Sequence, residues 1–111
     1  MRDRPTKVLT LPEAVCLRPK MYTLGGTIEE LSAFFEGYFS GLARADLSDA
    51  RVRRWNSFCE HLKSDLQVED TRQAFARLRL LHGSNEEAIA DLYNRIARFR
   101  SENPVAYGDE F

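Results

Sequence analysis

The sequence predicts an all-α fold, a compact single-domain bundle of about five helices. Three stretches begin with the Ser/Thr-x-x-Glu pattern of a capping box, in which a hydroxyl and a carboxylate satisfy amides at a helix start. Apolar residues then recur every three or four positions, and no apolar-polar alternation longer than about four residues indicates a strand. A chain of 111 residues can bury one core. We therefore expect one helical domain over residues 1–111, with flexible ends at 1–9 and 104–111.

The first predicted helix is short and spans Leu11–Leu17. Thr10 and Glu13 form its capping box, and Pro19 ends it because the residue before a proline avoids helical geometry. A connector follows, in which residues 21–24 are expected to form one short extended piece. Its Met21 and Tyr22 are expected to cover the aromatic face of the next helix, and Gly25-Gly26 is interpreted as a turn.

The second predicted helix, over residues 28–44, supplies the centre of the core. Thr27 and Glu30 form its capping box. Its apolar positions follow a 3,4,3,4 spacing that aromatic neighbours widen, and they are Ile28, Leu31, Phe34, Phe35, Tyr38, Phe39 and Leu42. Gly37 and Gly41 each cost up to about 1 kcal/mol in a helix relative to Ala, which predicts a notch where another helix approaches closely.

Three further helices complete the predicted bundle. The third covers residues 49–66 after a Ser48 cap, and the fourth covers residues 71–82 and stops at Gly83. The fifth begins with the capping box of Ser84 and Glu87 and ends at Asn103-Pro104. The side chains expected to face inward are Val52, Trp55, Phe58, Cys59 and Leu62 in the third, Phe75, Leu78 and Leu81 in the fourth, and Ile89, Leu92, Tyr93, Ile96 and Phe99 in the fifth.

Composition and charge restrict the function classes. The hydrophobic content is 43% and no stretch approaches the ~20 apolar residues that span a bilayer, so we expect no membrane partner. The basic first residues are followed by only a short apolar patch before Pro12, which is not typical of a secretory signal, so we expect a cytoplasmic location. The formal net charge of −1 argues against nucleic-acid binding, which requires a large excess of Lys and Arg. Arg nonetheless outnumbers Lys thirteen to three, a bias that suits protein interfaces. Cys16 and Cys59 are interpreted as reduced core residues.

The chain shows no arrangement typical of a catalytic or metal site, so we expect no enzyme activity and no cofactor. Cys59 and His61 are two positions apart on a helix and point about 200° away from each other, which prevents them from binding one ion. A Cys-His dyad would depend on folding to bring His82 to a cysteine. The acidic pairs lie at predicted helix starts, where they favour the helix dipole. An enzyme would be favoured only if the fold placed a histidine beside Cys59 or beside several carboxylates in a cleft.

The order of motifs resembles small bacterial immunity-type proteins associated with polymorphic or contact-dependent toxins. This resemblance covers about residues 10 to 100. After a short helix come an Arg-Pro-x-Met-Tyr turn (Arg18 to Tyr22) and an aromatic helix with Phe-x-Gly-Tyr (Phe35 to Tyr38). A helix with Trp-x-x-Phe (Trp55 to Phe58) and a final helix with Glu-Glu-Ala (Glu86 to Ala88) complete the order. The resemblance implies an inhibitor that binds its toxin in the cytoplasm and blocks or distorts the active site without catalysis.

A partner surface is predicted from charged residues expected to be exposed. Acidic patches of this kind would mimic a nucleic-acid substrate if the toxin were a nuclease. The predicted partner-binding residues are Glu29, Glu30, Glu36, Arg51, Arg54, Asp109 and Glu110. The alternative function is a self-associating helical adaptor or regulatory interaction module, in which the aromatic helix with Gly37 and Gly41 forms a homodimer seam.

Overall fold

The computed structural model describes residues 9–104, and over this range the chain is an all-α bundle. The predicted flexible ends lie outside the described residues apart from positions 9 and 104. The elements are α1 (Leu11–Leu17), a 3₁₀ turn (Pro19–Met21), α2 (Ile28–Ala45), α3 (Ala50–Leu66), α4 (Thr71–Leu81) and α5 (Asn85–Glu102). The predicted helices are therefore confirmed to within one residue at each end.

Hydrogen bonds at the helix starts confirm two of the three predicted capping boxes. At α2, the Glu30 amide donates to Thr27 Oγ1 and the Thr27 amide donates to Glu30 Oε1, both at 3.1 Å. At α1, the Thr10 amide donates to Glu13 Oε1 at 3.0 Å. Because these bonds are local, the residue pattern alone is sufficient to place both helix starts.

The remaining starts differ in detail from the prediction. Asp49, rather than Ser48, caps α3 by accepting a hydrogen bond from the Arg51 amide at 2.8 Å. The Glu87 amide donates to Ser84 Oγ as predicted, but the Glu87 carboxylate accepts from the amide of Gly83 and not from that of Ser84. A further box, not predicted, pairs Asp70 with Gln73 at α4.

The core lies where α4 packs against α2, α3 and α5, while α1 packs chiefly along α5. Aromatic rings from three helices meet there, and Phe35 and Phe39 both contact the ring of Trp55, with centroids 4.9 and 4.7 Å away. Phe58 continues this cluster to Phe99 of α5 at 5.5 Å. Nearly all the residues predicted to face inward are buried or packed against the core. Leu81, the last residue of α4, is the exception and is 56% exposed.

Gly37 and Gly41 do not form the predicted packing notch. Both are exposed, and a Cβ added at either position would meet no atom within 4 Å. They lie on the outer side of α2 in line with Ala33 and Ala45, which are also exposed. The expectation failed because helical spacing does not distinguish a close contact from an open surface.

The connector between α1 and α2 is a compact turn and not the predicted extended piece. Pro19 begins the 3₁₀ turn, and its carbonyl accepts hydrogen bonds from the amide and the hydroxyl of Thr23, at 2.9 and 3.0 Å. Gly26 adopts a φ of 68°, which confirms the predicted Gly-Gly turn. Tyr22 packs on Phe34 as expected, with ring centroids 5.6 Å apart, but Met21 points outward and is 68% exposed.

A buried ion pair connects α1 to the end of α5. Glu13 is completely buried, and Nη1 of Arg100 donates to its Oε1 at 2.6 Å. The same oxygen accepts from the amide and hydroxyl of Thr10, whereas Oε2 is buried and has no hydrogen-bond partner among the described residues. The capping glutamate of α1 is therefore also an interhelical contact, which its local pattern did not predict.

Candidate partner-binding surfaces

The three predicted acidic residues of α2 differ in how much of their charge faces solvent. Glu29 is exposed in the first turn. Glu30 uses Oε1 to accept hydrogen bonds from the amides of Gly25 and Thr27. The exposed Glu36 receives two hydrogen bonds from Arg72, at 3.0 and 3.1 Å, which lower the pKa of its carboxyl group. Two of the three carboxylates are thus engaged within the chain.

The predicted basic residues of α3 are also engaged within the chain. Arg51 pairs with Asp49 at 2.8 Å, and this hydrogen bond raises the pKa of its guanidinium group. Arg54 lies over the ring of Phe99, 4.9 Å from its centroid, in a cation-π arrangement. The last two predicted residues, Asp109 and Glu110, lie outside the described residues. The proposed role of these residues in partner binding stays a prediction.

Reactive side chains do not converge in the part of the chain that is described. Burial is the main cause that raises the pKa of both cysteine thiols, Cys16 and Cys59, to about 12, so both remain protonated near neutral pH. Nε2 of His82 lies 2.7 Å from a carboxylate oxygen of Asp91, while the ring of His61 lies near Phe99. Over residues 9–104, no group of three or more His, Cys, Asp or Glu side chains is placed to hold a metal ion.

His82 and Asp91 belong to a polar network that joins α3, α5 and the residue that follows α4. Nε of Arg95 donates to Asp91 at 2.9 Å, and its Nη1 contacts Asp65 of α3. Partial burial tends to raise the pKa of Asp91, but the contacts with His82 and Arg95 outweigh it and lower that pKa. The network accounts for these polar groups as structural contacts between α3, α5 and the residue that follows α4.

A groove of about 700 Å³ lies between the connector and the first half of α5. We call it the connector groove; residues 16–21 and 25–26 form one wall, and residues 85–94 of α5 contribute the other. Cys16 and Ile89 line it and are nearly buried, at 6% and 5% exposure. Leu17 and Met21 also line it but are 53% and 68% exposed, so the groove offers accessible apolar surface.

The charges on the connector groove are uneven. Arg18 and Lys20 are exposed on the connector wall, and among residues 9–104 neither contacts a carboxylate. On the α5 wall the only lining carboxylate is Glu86, accompanied by Asn85 and Asn94. The connector wall therefore combines exposed apolar side chains with two cations that have no carboxylate partner in the described structure.

A second groove, of about 680 Å³, lies between α2, α3 and α4. Its aromatic lining includes Phe35, Phe39 and Trp55, each at most 5% exposed, with Phe39 stacked on Trp55 and Phe35 tilted against it. Its charged rim contains two intramolecular ion pairs, Glu36 with Arg72 and Glu60 with Lys63. This groove therefore presents less accessible apolar surface and fewer unpaired charges than the connector groove.

Sequence reasoning predicted the position of the connector but not its surface. Met21 was expected to cover aromatic rings, and no role was predicted for Leu17, Arg18 or Lys20 as a surface. The signal that could have indicated this surface is the Leu-Arg-Pro-Lys-Met run, in which apolar and basic residues flank a proline that ends the helix. Because the helix is interrupted there, the four-residue spacing of Leu17 and Met21 does not place both side chains on one core-facing side of a helix.

Comparisons with known proteins add no assignment: no protein-family model, curated protein or solved structure matches the chain. Within residues 9–104, no helix is both long enough and apolar enough to cross a membrane.

Proposed function

We propose that this chain is an immunity-type protein that neutralises a cognate toxin by direct binding in the bacterial cytoplasm, without catalysis. The observation that carries the proposal is the exposed apolar surface of the connector, where Leu17, Met21 and Leu24 are 53%, 68% and 95% exposed. Clusters of exposed apolar residues rimmed by polar groups mark protein-protein interaction sites. The resemblance in motif order supports the choice of a toxin as the partner.

The connector supplies the two physical components of a protein interface. Completely burying a Leu or Met side chain contributes about 1.5–3 kcal/mol, so covering these residues provides a substantial part of an interface's stability. Arg18 and Lys20 beside them add electrostatic steering, which accelerates association with an acidic partner surface. The high pKa of the two cysteine thiols also makes them poor nucleophiles, which supports binding rather than chemistry.

The proposal is tested by co-expressing the protein with a toxin encoded by a neighbouring gene, followed by pull-down and a growth assay. We expect the unaltered protein to copurify with the toxin and restore growth, and Met21→Asp to weaken both. Leu47→Asp is the matched control, because Leu47 is 80% exposed in the α2–α3 turn, away from the connector. A protein that neither binds the toxin nor rescues growth would remove this proposal.

The alternative, a self-associating adaptor, is favoured by the outer side of α2. Ala33, Gly37, Gly41 and Ala45 are all exposed there, four residues apart, and small side chains permit close approach of a second helix. Light scattering across a concentration series tests this alternative. A dimer that Gly41→Leu disrupts would support it, whereas a monomer at every concentration would exclude it.

A further inference from the structure

The shape of the connector groove restricts what kind of segment can occupy it. Its α5 wall runs from Asn85 to Asn94, which corresponds to about 14 Å of helix, or two and a half turns. The opposite wall consists of the last two residues of α1, Arg18, the 3₁₀ turn and Gly25-Gly26. A channel of this length along the side of α5 is suited to another helix, whose side-chain ridges fit between those of α5.

Other modes of peptide binding fit this groove less well. An extended peptide that adds to a sheet needs a strand edge, and residues 9–104 contain no strand. A polyproline segment needs a groove lined by several aromatic rings, whereas Tyr93 is the only aromatic residue among positions 9–104 that lines this one. A helix with anchors at positions i, i+4 and i+7 spans about 10.5 Å and therefore fits within the ~14 Å length of the α5 wall.

The charges of the two groove walls determine which charges a bound helix should carry on each of its sides. Arg18 and Lys20 stand on the connector wall without a carboxylate partner in the described range, and Glu86 is the one carboxylate that lines the α5 wall. We propose, on the basis of the function proposed above, that the groove binds an amphipathic helix of the partner protein. The apolar stripe of this helix covers Leu17 and Met21, and its flank toward the connector is acidic.

The test uses a defined probe, a displayed library of helical peptides of about fourteen residues with varied apolar stripes and charged flanks. The complete protein is immobilised and the enriched sequences are read. We expect peptides with an i, i+4, i+7 apolar stripe and acidic residues on one flank to be enriched. Enrichment of basic peptides, or no enrichment, would overturn the proposal.

Variants locate the binding site of an enriched peptide. Met21→Asp is expected to weaken binding at least tenfold, and Leu47→Asp to leave it unchanged, in fluorescence anisotropy titrations. The double variant Arg18→Glu/Lys20→Glu is expected to lose the acidic peptide and bind its lysine-substituted counterpart. The substituted residues Arg18, Lys20 and Met21 are all exposed, and circular dichroism is used to check that each variant folds. Equal binding to Met21→Asp would overturn the assignment of the groove, and a double variant that still prefers the acidic peptide would overturn the assignment of the charges.

The groove and the proposed function fail in distinguishable ways. If the unaltered protein rescues growth and the Met21→Asp variant does so equally well, toxin neutralisation stands and the connector groove is not the binding site. If the protein does not restore growth of cells that express the toxin, but selects acidic helical peptides that the Met21→Asp variant does not bind, the groove is a helix-binding site and the partner is not a toxin. Self-association through the groove would appear in light scattering as a dimer that Met21→Asp abolishes, and this would overturn the assignment to a partner protein.

Discussion

The buried ion pair between Glu13 and Arg100 gives the sharpest test of how this fold is held together. Glu13 is 0% exposed and the Arg100 side chain only 11% exposed, so removing the arginine leaves a carboxylate that water does not reach. Within residues 9–104, the other donors to this carboxylate come from Thr10, and its Oε2 has no hydrogen-bond partner. Breaking a buried pair in this way costs about 3–5 kcal/mol.

Arg100→Met should therefore lower the free energy of unfolding by about 3–5 kcal/mol, a large fraction of the ~5–15 kcal/mol typical of a domain. The double variant Glu13→Gln/Arg100→Met removes both charges and keeps an oxygen to accept from the Thr10 amide. Because no buried charge is then left uncompensated, it should recover most of that loss.

Urea unfolding at pH 7 measures these differences, with fluorescence of the single tryptophan, Trp55, as the probe of the core. Arg98→Met is the matched control, because Arg98 is exposed on the same helix, and it should change stability by less than about 0.5 kcal/mol. A loss below about 1 kcal/mol in Arg100→Met, or a double variant less stable than Arg100→Met, would refute the reasoning.

Three further predictions follow from individual residues. Gly37→Ala and Gly41→Ala should each raise the free energy of unfolding by about 0.5–1 kcal/mol in urea titrations, because Ala favours the helix and an added Cβ meets no atom within 4 Å. A loss of stability would instead indicate a close contact on this side of α2. Cys16 and Cys59 have thiol pKa values raised to about 12, so a thiol reagent at pH 8 should label the folded protein slowly and the urea-unfolded protein at once; rapid labelling of the folded protein would contradict their burial. Because the pKa of Asp91 is lower in the folded protein, its ionised carboxylate stabilises the fold above the unfolded pKa of about 3.9, and this stabilisation is lost as pH falls through the folded pKa. Asp91→Asn should therefore lower the melting temperature at pH 7 and make the melting temperature depend less on pH in the acid range. An unchanged pH profile would exclude this contribution.

The helix boundaries were predictable because the chemistry that sets them is local. Thr27 and Glu30 bond to each other's amides across three residues, so their spacing in the sequence is itself the structural information. The start of α3 moved by one residue because Ser48 and Asp49 are both good caps, and only the folded backbone selects between them. The inward faces of the long helices were predictable for the same reason, since 3.6-residue periodicity is local.

The interhelical contacts were not predictable because one chain position does not reveal its distant neighbour. Glu13 was recognised as a capping residue, yet its pairing with Arg100 joins positions 87 apart in sequence. Gly37 and Gly41 had two opposite explanations, close packing or an open surface, and the pattern of small residues is the same for both. The candidate site shares this property, since the connector groove exists only because α1 packs along α5.

The connector is where local rules and a tertiary surface meet. Pro19 ends α1, and its carbonyl closes the following turn on Thr23, so the chain reverses before Leu17 and Met21 can join the core. A fully buried Leu or Met side chain contributes about 1.5–3 kcal/mol to folding, and Leu17 and Met21 contribute only part of this because 53% and 68% of their surface faces solvent. The remaining apolar surface lies beside the cations Arg18 and Lys20. This combination is the basis on which we propose that a partner helix covers the connector groove.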